Sequence, residues 1–315
     1  MVGFALRRLL ALVPLLLVAT FLSFGLILLL PGDAVTTIAG ENATPEQLDE
    51  IRAELGTDRP VVVQYVDWLG GAVRGDFGNS LIFSSRSVGE EIRTRFPLTL
   101  SVTLGAIGIG AVLGGVAGIV AGVRPGRRTD RVISLLTSLA IGLPSYVVAL
   151  FLVVVFAVNL GWFPSRGYVP LSEDPWEWFR HLVLPWIALG LPASASIARQ
   201  VRGALVDTME EDYVRTARAK GLSPVQVVGK HALKNASMPA ITVLGIQFAY
   251  LLGGTVIIES IFSINGLGRM IATAVSGRDV PVIQGVTFLM AVIFLLVNLV
   301  VDVLYAVVNP KVRLG

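Results

Sequence analysis

Two histidines, His181 and His231, stand far apart in a chain that has no cysteine. Those counts exclude a histidine or thiolate metal cluster, a cysteine nucleophile and a disulfide framework. The phosphate-cradling pattern G-x-x-x-x-G-K-[ST] is missing too. The Gly-Lys step of the chain, Gly229-Lys230, is followed by His231, so this chain lacks the usual means of holding nucleotide phosphates. What remains is a sparse set of polar residues within apolar surroundings. Ser145 and Tyr146 follow Pro144, Gln247 stands mid-run, and Glu259 and Asp302 stand near run ends. They form no His, Cys or carboxylate constellation of the kind that acid–base or nucleophilic catalysis needs. The positions of interest are therefore mechanical, and they lie between the apolar runs, from Arg199 to Lys234.

The elements that must position them are set by composition. Of the 315 residues, 54% are hydrophobic and 15% charged, and the mean hydropathy is +0.75. Soluble domains carry about 25% charged residues. Six stretches run without Asp, Glu, Lys or Arg: 9–32, 96–123, 132–165, 181–198, 235–258 and 280–301. A bilayer core about 30 Å thick needs roughly 20 apolar residues as helix, so the expected fold is an all-α integral membrane protein with six transmembrane helices. The third run is long enough for a span plus a surface segment ending at Trp162, Pro164 and Ser165. Its Pro144 predicts a kink. The first run is too long for a signal-peptide core and has no small-residue cleavage site.

Basic residues give the orientation. The loop Arg124-Pro125-Gly126-Arg127-Arg128-Thr129-Asp130-Arg131 reads as cytoplasmic by the positive-inside rule, which places both termini inside. The long 33–95 segment is then a small extracytoplasmic helical cap. Thr44-Pro45-Glu46-Gln47 is a capping box whose helix stops at Gly56. Ser87-Val88-Gly89-Glu90 is a second box, opening a helix towards Arg95. These helices either roof the bundle or meet an external partner. Asp302 near the inner end of the last run reads as a structural carboxylate, and Glu259 as interfacial. Gln247 would line a path or bond to a neighbouring helix, with Ser145 and Tyr146 beside the same path.

The inner segment is the richest. Gly221 fits a helix stop; Ser223 caps a new short helix with Pro224 at its first position and Gln226 closing the box. Leu222, Val225 and Val228 give that helix an apolar side, while Lys230 and His231 stay polar. That side must be covered by lipid headgroups, by the chain's own helices or by a partner's groove.

The run Asp212-Tyr213-Val214-Arg215-Thr216-Ala217-Arg218-Ala219-Lys220-Gly221-Leu222, with His231-Ala232-Leu233-Lys234-Asn235 and Pro239, resembles the coupling-loop signature of ABC importer permeases. The dipeptide, oligopeptide and nickel branch is the most similar. The wider family opens this loop with Glu-Ala-Ala, where this chain has Arg215-Thr216-Ala217. Pro31-Gly32-Asp33, Leu55-Gly56-Thr57-Asp58-Arg59-Pro60, Gly75-Asp76-Phe77-Gly78-Asn79-Ser80 and Arg95-Phe96-Pro97-Leu98-Thr99-Leu100 resemble the B-type subunit in the same order. So do Gly266-Leu267-Gly268-Arg269, Arg278-Asp279-Val280-Pro281, the closing run from Asn298 to Tyr305, and Asn309-Pro310.

The resemblance implies the type I importer permease fold in a bacterial cytoplasmic membrane. The chain would divide into 1–32 (tail and first span), 33–95 (outer loop), 96–308 (permease core, with coupling loop 199–237) and 309–315 (tail). Partners would be a second permease, two ATPase subunits and an extracytoplasmic substrate-binding protein, with membrane lipid around them. ATP and Mg would be bound by the ATPases and no cofactor by this chain. Segment 222–231 would be the coupling helix, entered at Gly221, with His231 in the coupling surface rather than a metal site. Peptides are the implied cargo, with nickel chelate, glutathione or another small solute as alternatives. A secondary transporter is the alternative of a different class, but it needs ionisable groups at mid-membrane to couple ions, and the six uncharged runs lack them.

Overall fold

The computed structural model describes residues 2–28, 44–55, 58–82 and 86–308. Pro31-Gly32-Asp33, the expected stop at Gly56, Asn309-Pro310 and the 309–315 tail lie outside these residues. Among the described residues every regular element is helical, and extended pairing is confined to an isolated antiparallel bridge between Asn79 and Ser87. In chain order the helices are α1 (Val2–Leu28), α2 (Pro45–Leu55), α3 (Val61–Val73), α4 (Val88–Val123), α5 (Arg128–Gly142), α6 (Ser145–Leu152), α7 (Pro175–Met209), α8 (Asp212–Ala219), α9 (Pro224–Gln226), α10 (Leu233–Ile261), α11 (Leu267–Gly277) and α12 (Val280–Val308). Wide π-type turns extend α6 through Val153–Asn159 and join α9 to α10 through Val227–Ala232.

Among the described residues, four helical stretches are long and apolar enough to cross a membrane: α4, α7, the α9–α10 rod and α12. A fifth arises if α5 and α6 are one broken span. Six separate spans were expected, and one of the expected runs differs. The third run is not kinked but broken, its halves meeting at 97°. Leu143 and Pro144 are both extended there, because proline has no N–H to continue the ladder and pushes the preceding residue out of helical geometry. The first run belongs to a 27-residue helix, α1. The helix expected to open near Ser87 does open at Val88, but it runs past Arg95 without interruption to Val123.

The chain packs as two compact units, one formed by 99–265 with the end of α12, the other by 6–98 with 266–296. In the first, α7 is central and packs on α5, α6 and α10. Asp174 caps it, its carboxylate accepting from the backbone N–H of Trp176 (2.8 Å) and Glu177 (3.1 Å), and Pro175 takes the first position. The α4 glycines let the two backbones meet. A Cβ on Gly114 would stand 2.4 Å from the Ser194 carbonyl oxygen, and one on Gly118 2.7 Å from that of Ala198. Close approach through small residues is how membrane helices gain dispersion contacts where no hydrophobic effect drives them together.

In the second unit, Val88, Ile92, Leu267, Met270 and Val282 form a buried core. Asp279, fully buried, caps the start of α12 and accepts from the Ser80 hydroxyl (2.5 Å) and the N–H groups of Leu81 (3.1 Å) and Ile82 (3.2 Å). On α2, the box expected at Thr44 is formed: Gln47 N–H donates to Thr44 Oγ1 (3.4 Å) and Thr44 N–H to Gln47 Oε1 (3.0 Å).

Candidate coupling loop and translocation path

Past Ala198 the helix α7 continues to Met209, so the 199–234 segment begins as an extension of a packed helix. Leu205 is fully buried and clusters with Ala232 and Ala236, against Ile119 and Val123 of α4. After a short turn, α8 buries Val214 and Ala217 against Val227, with Met209 and Leu222 at the edge of the cluster. Asn235 Nδ2 donates to the Tyr213 hydroxyl at 2.7 Å, tying α8 to α10.

The turn between α8 and α9 follows from its residues. Gly221 has φ +78° and its N–H donates to the Arg218 carbonyl at 2.9 Å. Nothing lies within 4 Å of the place a Cβ would take, so glycine is required by backbone conformation and not by space. Ser223 and Gln226 form a reciprocal capping box: Gln226 N–H donates to Ser223 Oγ (3.4 Å) and Ser223 N–H to Gln226 Oε1 (3.1 Å). Pro224 is the first helical residue.

The apolar side of this helix is divided. Leu222 packs inward, Val227 is 1% exposed and Val228 is half-buried, whereas Val225 is 81% exposed. Leu222, Val225 and Val228 were expected to form one apolar side. The helix was also expected to be short and separate, yet it runs through the π turn, with His231 and Lys230 in it, straight into α10. Val227, which was not in that set, packs on Val214 and Ala217 of α8.

Of the path candidates, Ser145 and Tyr146 open α6 directly after the 97° break; Ser145 is half-buried and Tyr146 is 44% exposed. Gln247 is half-buried on α10. Because α6 packs on α10 and α7, the helices that carry all three residues are neighbours. Glu259, expected at the outer end of its helix, stands two residues before the end of α10, where its side chain is fully buried in the protein and accepts from the Thr99 hydroxyl at 2.6 Å. Asp302 is half-buried on α12.

One ion pair was not foreseen. Asp130, 3% exposed at the first turn of α5, receives the Arg202 guanidinium in a two-pronged contact, Nε to Oδ1 at 2.5 Å and Nη2 to Oδ2 at 2.7 Å. The Gly126 N–H (2.7 Å) and Ser134 hydroxyl (3.3 Å) complete its coordination. A fork matched to a carboxylate fixes direction as well as distance, so α7 is locked to the start of α5 near the beginning of the 199–237 loop. A cavity of about 230 Å³ lies beside it, lined by Ser134, Thr137, Ser138, Arg199 and Arg202 among others.

The described residues form a helical bundle with several membrane-length apolar helices and a capped turn between two of them, the architecture of a multi-pass membrane protein. Comparison with known proteins identifies the class. Residues 114–314 match the binding-protein-dependent transport system inner membrane component, and 1–103 match the N-terminal component of the same systems. The chain belongs to this family. A Brucella abortus protein bearing the name peptide transport system permease is 40% identical over 313 residues, 99% of both chains. The glutathione transport system permease protein GsiC of Escherichia coli K12 is 41% identical over the same length, again 99% of both. Among solved structures, a chain of the inward-facing MetNI methionine ABC transporter superposes with a TM-score of 0.58 at 22% identity, covering 69% of this chain and 96% of that one. The protein is thus a multi-pass inner-membrane permease subunit of an ABC importer and not an enzyme. In such importers ATP hydrolysis resides in separate subunits, which work with a partner permease and a binding protein.

Proposed function

We propose that this subunit pairs with a second, related but different permease to form the membrane path of a peptide importer served by two ATPase subunits, and that its 222–231 segment, entered at Gly221, docks in one of them and receives its stroke. The observation that carries this reading is Val225. It is 81% exposed at the tip of a turn whose other apolar residues pack inward, and the turn itself is held by Gly221, Leu222, Ser223 and Pro224. An isolated apolar residue on a rigid, capped tip suits a partner's groove; Val228 and His231 would flank it. ATP and Mg are bound by the ATPases, and this chain binds no cofactor. Peptide cargo is supported by the two relatives' names, since glutathione is itself a small peptide. An external binding protein selects it.

In this reading the chain crosses the membrane six times, α5–α6 counting once. At about 1.5 Å per residue, the 27 residues of α1 are long enough to cross. The 124–131 loop, the 199–237 coupling loop and both termini are cytoplasmic, and 33–95 belongs to the outer side. Ser145, Tyr146 and Gln247 line the path. Val225→Asp tests the central claim, because it places a charge in an apolar contact without touching a span. The variant should reach the membrane at normal abundance and pair with the second permease. It should lose ATPase co-purification and peptide uptake. Unchanged ATPase association and uptake would remove the coupling role from this helix.

A further inference from the structure

Helix α3 does not have the surface of a helix that stands in water. Its inner face carries Tyr65 and Trp68. The Tyr65 hydroxyl donates to the Leu17 carbonyl (3.0 Å) and lies 2.8 Å from Thr20 Oγ1, and the Trp68 ring packs on Phe24 and Phe288, both with centroids 5.8 Å away. At 100° per residue, Val62, Val66 and Val73 share another side of the helix. They are 60%, 58% and 75% exposed. Polar residues are confined to a narrow edge between these two faces. Gln64 Nε2 donates to the Arg59 carbonyl at 2.7 Å, and Asp67 pairs with the Arg59 guanidinium at 3.3 Å. A water-facing cap helix would show the reverse, with polar residues across its exposed arc.

The position of α3 says what covers the valines. Tyr65 grips α1 at Leu17 and Thr20, and the helix ends at Leu28. Eight residues of rise place this contact about 12 Å inside the end of α1. At that level α1 turns apolar residues outward, Val18 and Leu22 being 56% and 58% exposed. We infer that α3 is an interfacial helix of the outer leaflet, its valine face in the acyl chains and its Arg59–Asp67 edge at the headgroups. The outer segment would then be part wedge and part cap. The inference rests on the membrane-permease reading above.

The absence of native cysteine makes single-site spin labelling clean. Labels at Val62, Val66, Val73, Gln64 and, on α1, Val18 would be read in the assembled transporter in lipid nanodiscs, against oxygen and chromium oxalate. The three valine sites should be relaxed severalfold more by oxygen, as Val18 is, and Gln64 more by chromium oxalate. Valine sites relaxed by chromium oxalate would mean a water-facing cap and overturn the inference. Sites shielded from both reagents would mean a protein partner covers the face, which overturns it equally. Relaxation of Val18 by chromium oxalate would instead strike at the membrane reading of α1 itself.

Discussion

Replacing Arg202 with alanine removes both prongs from Asp130 and leaves a carboxylate that is 4% exposed with the Gly126 N–H and the Ser134 hydroxyl as its described partners. Stranding a charge in a fully buried pair costs about 3–5 kcal/mol. The Arg202 side chain is 35% exposed, so water can enter where the guanidinium stood, and screening brings the expected loss to about 2–3 kcal/mol. Asp130→Ala alone should cost less, because the freed guanidinium can reach water. The double variant Asp130→Ala/Arg202→Ala should recover part of the Arg202→Ala loss, giving a coupling energy of about 2 kcal/mol, within the range for residues in direct contact. Arg202→Lys keeps the charge without the fork and should fall between wild type and alanine. The four variants and the wild type would be unfolded at equilibrium in mixed detergent–SDS micelles, and uptake measured in reconstituted transporters. If the two single losses simply add in the double variant, the pair does not lock α5 to α7 and the geometric argument is wrong.

Three further outcomes follow from other residues. At Gly221, where φ is +78° and the space is open, only the backbone should object. Uptake should fall in the order Gly, Asn, Ala, Val, with alanine costing about 1–2 kcal/mol; equal loss in Asn and Val would point to a contact instead. Gly118→Leu must push α4 off the Ala198 carbonyl, and overpacking of this kind costs about 1–3 kcal/mol. Gly115→Leu, which meets nothing within 4 Å, should be tolerated, and size-exclusion profiles of detergent extracts would separate the two. Single cysteines at Gly126 and Ser223 should resist an impermeant thiol reagent in intact cells, while one at Asn79 should react. Labelling at Gly126 with none at Asn79 would invert the proposed orientation.

Local chemistry was legible in the sequence. The Thr44 and Ser223 boxes and the Gly221 stop depend on residues within a turn of each other, and they stand where the spacing put them. Prolines were less legible, because the same residue has two outcomes. Pro97, Pro185, Pro192 and Pro239 sit inside continuous helices, where neighbouring helices can satisfy the freed carbonyls. Pro144 ends one helix and opens another, and no pattern within the run marks that difference. The long-range polar contacts were not legible at all. Arg202 and Asp130 are 72 residues apart, Glu259 and Thr99 are 160 apart, and no periodicity links them. Asp130 could be read only as an acid in a basic loop and Glu259 only as an acid near a helix end, and neither pattern names the partner. Val225 and Val227 show a further limit, since which valine is covered depends on the contact of Val227 with Val214 and Ala217 of α8, and nothing in the spacing names that contact.

The continuity of α9, the π turn and α10 bears directly on the proposed mechanism. From Pro224 to Ile261 they form one 38-residue stretch, with no extended residue at which a displacement of the tip could be absorbed. Near its far end, the stretch is held by the buried Glu259–Thr99 contact. A rod pushed at one end and held near the other turns about the held point. Gln247 lies between them, twelve residues from Glu259, whereas Val225 is thirty-four away. With equal rise per residue, Gln247 would move about a third as far as the tip. The same rotation would carry α10 across α6 and so alter the spacing between Gln247 and the Ser145–Tyr146 turn. On the other flank, α7 is clamped to α5 by Arg202 and Asp130, so the push on Val225 would be expressed on the α10 side of the loop. This asymmetry is what the proposed path requires: one helix held while its neighbour swings.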